Sequence, residues 1–230
     1  MSIQQNLEHI LSRIRAAELR AGRPAGSVRL VAVSKTFPAE DVKACHDAGQ
    51  RIFGENKVQE GLGKIPSLPP DTEWHLIGPL QRNKVRQVVG KADLIQSVGS
   101  TELLQEIEKA AGRLELCQDI LLEVNIGGEA AKSGLAPEDI AAAAETALAM
   151  PHVRVRGLMT IPPVAMEPHG NLAYFEKMRW LYVDINAKIY DNRMEYLSMG
   201  MSGDFADAIR CGSNMIRVGT AIFGARDYTK

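Results

Sequence analysis

Apolar and polar positions recur along this chain at two periods. The N-terminal segment carries Ile3, Leu7, Ile10, Leu11, Ile14 and Leu19 at helical spacing behind Ser2, a residue suited to cap the first turn. That helix stops at Gly22-Arg23-Pro24-Ala25-Gly26. From there short apolar runs take over, each followed by a polar or glycine turn, an amphipathic segment and a glycine or proline stop. Strands are predicted at Leu30–Ser34, Arg51–Gly54, Trp74–Gly78, Leu94–Val98, Ile120–Ile126, Val153–Met159, Met194–Met199 and Met215–Gly219. Helices are predicted between them at Ala39–Ala48, Val58–Ile65, Asn83–Val89, Thr101–Ala111, Pro137–Met150, Leu172–Ile189 and Phe205–Arg210. About eight strands separated by helices, with no lone edge strand, predict a closed (β/α)8 TIM barrel rather than an open doubly wound sheet. The expectation is an α/β chain with one domain over residues 1–230, in which an extra N-terminal helix and turn, 1–26, pack on the barrel.

The run Leu30-Val31-Ala32-Val33-Ser34-Lys35 lacks polar alternation, as a strand covered on both faces does. It ends in a lysine on the same face as Val31 and Val33. At the carboxyl end of a barrel strand, apolar walls disfavour the charged amine, which suits a nucleophile that forms a Schiff base. A lysine that snorkels to solvent gives the same local pattern, so the other strand ends must decide. They collect Gly54-Glu55-Asn56, His75 with Gly78-Pro79-Leu80-Gln81, Glu123-Val124-Asn125 and Met159-Thr160-Ile161-Pro162-Pro163, whereas the opposite rim is expected to be apolar. After strands seven and eight, Ser198-Met199-Gly200-Met201-Ser202 and Gly219-Thr220-Ala221-Ile222-Phe223-Gly224 predict a phosphate cradle of hydroxyls and backbone N–H groups at helix starts. Two ordinary glycine turns are the alternative. Arg217, between Ile216 and Val218, puts a guanidinium inside the barrel, where it needs a partner. A nucleophilic lysine, a phosphate cradle and an arginine facing a pyridine nitrogen together describe a pyridoxal phosphate site.

Composition narrows the alternatives. The 230 residues are 45% hydrophobic and 24% charged, enough for a large core, and the formal net charge of −1 gives no footprint for nucleic acid or an anionic membrane. The basic run Gln81-Arg82-Asn83-Lys84-Val85-Arg86 has no interleaved aromatics and reads as a solvated helical turn. No apolar stretch is long enough to span a bilayer. Cys45, Cys117 and Cys211 are far apart and odd in number, which points to a reducing, cytoplasmic setting. Glu8 and Glu18 among Arg13, Arg15, Arg20 and Arg23 argue against an organellar presequence. The scattered histidines, His9, His46, His75, His152 and His169, suggest no metal site.

Val31-Ala32-Val33-Ser34-Lys35-Thr36, Phe53-Gly54-Glu55-Asn56, Trp74-His75-Leu76-Ile77-Gly78, Gly157-Leu158-Met159, Leu197 to Ser202 and Arg217 to Gly224 closely resemble the motifs of the pyridoxal phosphate homeostasis proteins, in order and over nearly the whole chain. The resemblance implies a barrel like the N-terminal domain of alanine racemase, with pyridoxal phosphate on Lys35 and Asn56, Ser198, Met199, Ser202, Arg217, Gly219 and Thr220 lining it. Lys132 matches a second lysine near the mouth. Lys57, Gly203 and Asn214 stand where a tyrosine, an aspartate and a threonine are usual. The implied role is intracellular vitamin B6 and amino-acid homeostasis by a monomer without catalytic residues, with apo pyridoxal phosphate enzymes as recipients. The rival is an amino-acid racemase. Racemisation needs acid–base groups on both faces of the cofactor, one of them from a second domain, and this chain ends soon after strand eight. Arginine, rather than an acid, at the pyridine nitrogen would also weaken the electron sink needed for transamination. A carrier is therefore expected.

Overall fold

The computed structural model describes residues 2–129 and 131–225. Its chain begins with α1 (Ile3–Arg20), closed by a reciprocal cap: the Ser2 hydroxyl accepts from Gln5 N–H while the Gln5 side chain accepts from Ser2 N–H. Eight strands follow and pair in parallel, in chain order, into a closed barrel: β1 (Arg29–Val33), β2 (Ile52–Glu55), β3 (Glu73–Leu76), β4 (Leu94–Val98), β5 (Gln118–Glu123), β6 (Val153–Met159), β7 (Tyr196–Ser198) and β8 (Met215–Val218). The connecting helices are α2 (Ala39–Asp47), α3 (Val58–Lys64), α4 (Val85–Val88), α5 (Thr101–Arg113), α6 (Ile140–Leu148), α7 (Leu172–Lys188) and α8 (Phe205–Arg210), and α9 (Thr220–Phe223) follows β8. Among the described residues no helix is long and apolar enough to cross a membrane.

The expected barrel is the observed one, with element ends displaced by a few residues. The segment expected as a helix from Asn83 is a 3-10 turn, Arg82–Lys84, followed by the single turn α4. The segment from Pro137 likewise opens as a 3-10 turn before α6. In α1 the buried stripe is Leu7, Ile10, Ile14 and Ala17, whereas Leu19 is 78% exposed. The stripe gives way there because Glu18, not Leu19, turns inward. Its carboxylate is fully buried and accepts from Gly26 N–H, Val28 N–H and the Ser27 hydroxyl, tying the end of α1 to the turn that feeds β1. With Asn6 donating to the Ile222 carbonyl, α1 is anchored along α8 and α9 on the outside of the barrel.

Inside, alternation sorts each strand into an inward and an outward column. The outward residues meet the helices in two large apolar clusters. The inward columns form a smaller one, Val31, Ile52, Leu94, Leu121, Met159 and Met215. Below that layer the amino-terminal rim is charged, contrary to the apolar rim expected. Arg29 pairs with Glu73 at 2.8 Å and donates to the Tyr196 hydroxyl, while Arg156 bridges Asp119 and Glu195. These residues are scattered singly beside apolar runs, and only closure of the ring brings their opposite charges together.

Replacing Glu18 by alanine strands the buried Val28 N–H and the part-buried Gly26 N–H. At about 1–3 kcal/mol for each unmade buried hydrogen bond, Glu18→Ala should cost a few kcal/mol in urea unfolding, and Leu19→Ala almost nothing.

Candidate functional site

Lys35 lies two residues past the end of β1, beyond Ser34, in the first position of a turn. Thr36, next to it, has φ +70°, a conformation that costs a β-branched residue about 1–3 kcal/mol. A network of charges holds the turn in that shape. The Ser34 hydroxyl donates to Glu55 Oε1 at 2.7 Å, and the Thr36 N–H donates to Glu60 Oε1. Lys64 of α3 joins the two, donating to the Ser34 carbonyl (2.9 Å), Glu55 Oε1 (2.7 Å) and Glu60 Oε1 (2.7 Å). Burial nevertheless pushes the Glu55 carboxyl above the usual carboxylate range, the bonds to Lys64 and Ser34 opposing it.

Across the mouth, Arg217 on β8 is buried. Its Nη1 donates to Ser198 Oγ at 2.6 Å and its Nη2 to the Thr160 carbonyl at 2.8 Å. Desolvation lowers its pKa to about 10, against the pull of Glu123 and Asp204, so it stays charged at neutral pH. Burial also pushes the Glu123 carboxyl upward, opposed by a hydrogen bond from Ser133 and by the Arg217 charge. Deeper in, His75 Nδ1 lies 2.9 Å from Gln96 Nε2, and Gln96 Oε1 accepts from Ser198 at 2.7 Å. Burial, reinforced by Arg29, pushes the His75 pKa down to about 3, and the ring is neutral.

Between Lys35 and Arg217 lies a cavity of about 300 Å³ lined by both, with Val33, Asn56, Ile77, Ile161, Met201, Ser202, Gly203, Gly219 and Thr220. Two glycines shape its walls. A Cβ on Gly78 would sit 2.5 Å from the Asn56 carbonyl, so only glycine lets the β2 loop bring Asn56 to the mouth. Gly200, at φ +97°, turns the chain against Ala208 and Phe205 and aims Met201 and Ser202 at the cavity. A larger groove of about 590 Å³ shares Ile161, Met201 and Gly203 and runs under the loop from Pro162 to Asn171.

Residues 5–227 match the family described as alanine racemase, N-terminal domain. A pyridoxal phosphate homeostasis protein of Aquifex aeolicus is 42% identical over 229 residues, covering 99% of this chain and 100% of its own. One of Vibrio alginolyticus is 43% identical, covering 99% of both. The structure of PipY from Synechococcus elongatus, with PLP bound, superposes with a TM-score of 0.83 at 36% identity, covering 97% of this chain and 100% of that one. The chain belongs to the pyridoxal phosphate homeostasis protein family.

Of the site residues that membership led us to expect, Lys35, Asn56, Ser202, Arg217, Gly219 and Thr220 line one cavity. Ser198 and Met199 do not. Alternation turns the Ser198 hydroxyl down into the barrel, where Arg217 and Gln96 hold it, and turns Met199 out into the core beneath the helices. Lys132 pairs with Glu129, donates to the Pro162 carbonyl and lines the neighbouring groove. Exposed Lys57 precedes α3, outside the cavity lining. Glu60, Lys64 and Gln96 were not singled out from the sequence, and Glu55 and His75 were placed at the strand ends without a role. The signal available was Glu55, a charge closing an otherwise apolar strand.

The His75 shift has a measurable sign. Between about pH 6.5 and about pH 3 the unfolded chain takes up a proton at His75 that the folded chain does not, so stability drains away as pH falls through that window. The raised Glu55 and Glu123 carboxyls act with the opposite sign. Urea unfolding free energies of wild type and His75→Asn, followed against pH, should therefore diverge at neutral pH and converge toward about pH 3.

Proposed function

We propose that this chain binds pyridoxal 5′-phosphate on Lys35 and serves intracellular vitamin B6 homeostasis as a carrier without catalytic turnover. The observation that carries this reading is the single cavity onto which Lys35, Arg217, Ser202, Gly219 and Thr220 open together. The donor set fits the cofactor group by group. Lys35 offers an amine for the aldehyde carbon, and Arg217 offers N–H donors for the pyridine nitrogen. The hydroxyls of Ser202 and Thr220, with the backbone turn at Gly219, offer donors for the phosphate. Asn56 and Ile77 complete the wall beside the ring. When bound, pyridoxal phosphate supplies an electrophilic carbon conjugated to a ring that can draw electrons from it. Everything else is the work of the chain. The Ser34–Glu55–Lys64–Glu60 network fixes where the Lys35 amine emerges, and the Arg217 guanidinium, which keeps its proton, would offer N–H donors to the ring nitrogen.

The same lining favours a carrier over a racemase. Among the described residues that line the cavity, only Lys35 and Arg217 are ionisable. A racemase needs proton-transfer groups on two faces of its substrate, each with a pKa near the working pH. Arg217, held by two acceptors and still charged near neutral pH, is no such group. The free cysteines Cys45, Cys117 and Cys211 accord with a reducing, cytoplasmic setting. We extend the reading to a monomer from which apo pyridoxal phosphate enzymes draw their cofactor.

Mixed with pyridoxal phosphate, the protein should show a visible absorption band, and borohydride should fix the added mass on the peptide holding Lys35. Lys35→Ala should fold and stay colourless; a trapped adduct on Lys132 or Lys57 in that variant would move the bond elsewhere. Amino acids incubated with the loaded protein in D2O should keep their α-protons. Exchange at rates typical of enzymes, lost in Lys35→Ala, would replace the carrier by the racemase.

A further inference from the structure

Below the cavity lies a line of buried polar side chains that the proposed function does not use directly. Arg217 carries only N–H donors, so Ser198 Oγ, 2.6 Å away, must accept from it. The single hydroxyl proton then points to Gln96 Oε1 at 2.7 Å. That orients the Gln96 amide with Nε2 toward His75 Nδ1 (2.9 Å) and Met215 Sδ (3.3 Å). His75 Nδ1 must therefore accept, which leaves the ring proton on Nε2, the nitrogen 3.9 Å from Glu73. Every donor and acceptor follows from the one group that cannot reverse its role.

A competitor explains why such a line is needed. Glu123 on β5 is buried, its Oε2 has no hydrogen-bond partner among the described residues, and its charge acts on Arg217. In a poorly screened interior a carboxylate pulls strongly on a guanidinium. An Arg217 that turned to Glu123 would present a different edge to the cavity. Ser198 can resist that pull only while its own proton is engaged by Gln96, and Gln96 only while His75 takes its amide proton.

We propose that Gln96 and His75, neither of which lines the cavity, are positioning residues for Arg217: with Ser198 they form a one-way hydrogen-bond chain that keeps the guanidinium facing the ring nitrogen rather than Glu123. The proposal rests on the cavity being a pyridoxal phosphate site and deepens that reading. A fixed guanidinium would hydrogen-bond a pyridine nitrogen without protonating it, which keeps the ring a weak electron sink.

The test begins on the cofactor-free chain. The ¹⁵N spectrum of its histidines should show His75 as a single neutral tautomer protonated at Nε2; protonation at Nδ1 overturns the chain of bonds whatever the variants do. In Gln96→Met the same ring should sample both tautomers. With ring-¹⁵N pyridoxal phosphate, Gln96→Met should move the pyridine resonance downfield, toward a nitrogen without a donor, and weaken binding about tenfold. Adding Glu123→Gln removes the competing charge and should restore the resonance and most of the affinity, a rescue that a purely structural role for Gln96 does not provide. An unmoved resonance in Gln96→Met, or no rescue, sinks the proposal. If Gln96→Met fails to fold, the wild-type tautomer decides. If the wild type binds no cofactor, the carrier reading falls while the tautomer still judges the hydrogen-bond chain.

Discussion

Enclosing the charge of Arg217 inside a closed ring of apolar strands is the constraint from which the rest of the interior follows. A guanidinium removed from water costs several kcal/mol unless its N–H groups are met. Burial takes its pKa only to about 10, so neutralisation offers no escape at physiological pH. Acceptors must come from the neighbouring strands, and they do: the Ser198 hydroxyl from β7 and the Thr160 carbonyl just after β6. The Thr160 hydroxyl in turn donates to the Val124 carbonyl after β5, so one charge knits the carboxyl ends of four consecutive strands. Glu123 adds a counter-charge without a direct bond. The polar residues of the upper barrel are thus the hydration shell that Arg217 lost, rebuilt from side chains.

Lys35 presents the opposite problem. It sits on a turn rather than a strand, and turns move. Rigidity there comes from Lys64, a second lysine whose three acceptors bind the turn to α3 on both sides of Lys35. The positive φ of Thr36 is tolerable because Glu60 takes its N–H. Two cationic side chains therefore divide the labour, with Lys64 spent on structure and Lys35 presented to the cavity.

What was legible in the sequence follows from this. The barrel was readable because each βα unit repeats the same grammar and parallel strands bury both faces. Lys35 and Arg217 were readable because each breaks an apolar run, and Ser202, Gly219 and Thr220 because glycine turns after the last strands have a known geometric use. Ser198 was placed in the cradle because sequence adjacency to Ser202 hides the alternation that points it inward. The charged floor was invisible for a related reason: Arg29, Glu73, Asp119 and Arg156 come from four strands, and pairing across a closed ring leaves no local pattern. Gln96 drew no reading from the sequence and His75 was placed at the polar mouth, and their order deeper in the barrel appears only once Arg217 fixes one end.

Charge at both ends of the barrel also bears on what the site can do. The floor pairs and the chain from Arg217 to His75 leave the interior little freedom to rearrange, since shifting one donor strands its neighbour at about 1–3 kcal/mol. Catalysis at such a cofactor asks for groups that gain and lose protons near the bound substrate, whereas retention asks for groups that keep one protonation state. Arg217 keeps its proton, and His75, the one buried imidazole of the interior chain, is held neutral and turned away from the cavity by its bond to Gln96. Fixed protonation of Arg217 and His75 is what the carrier reading proposed above asks of this interior.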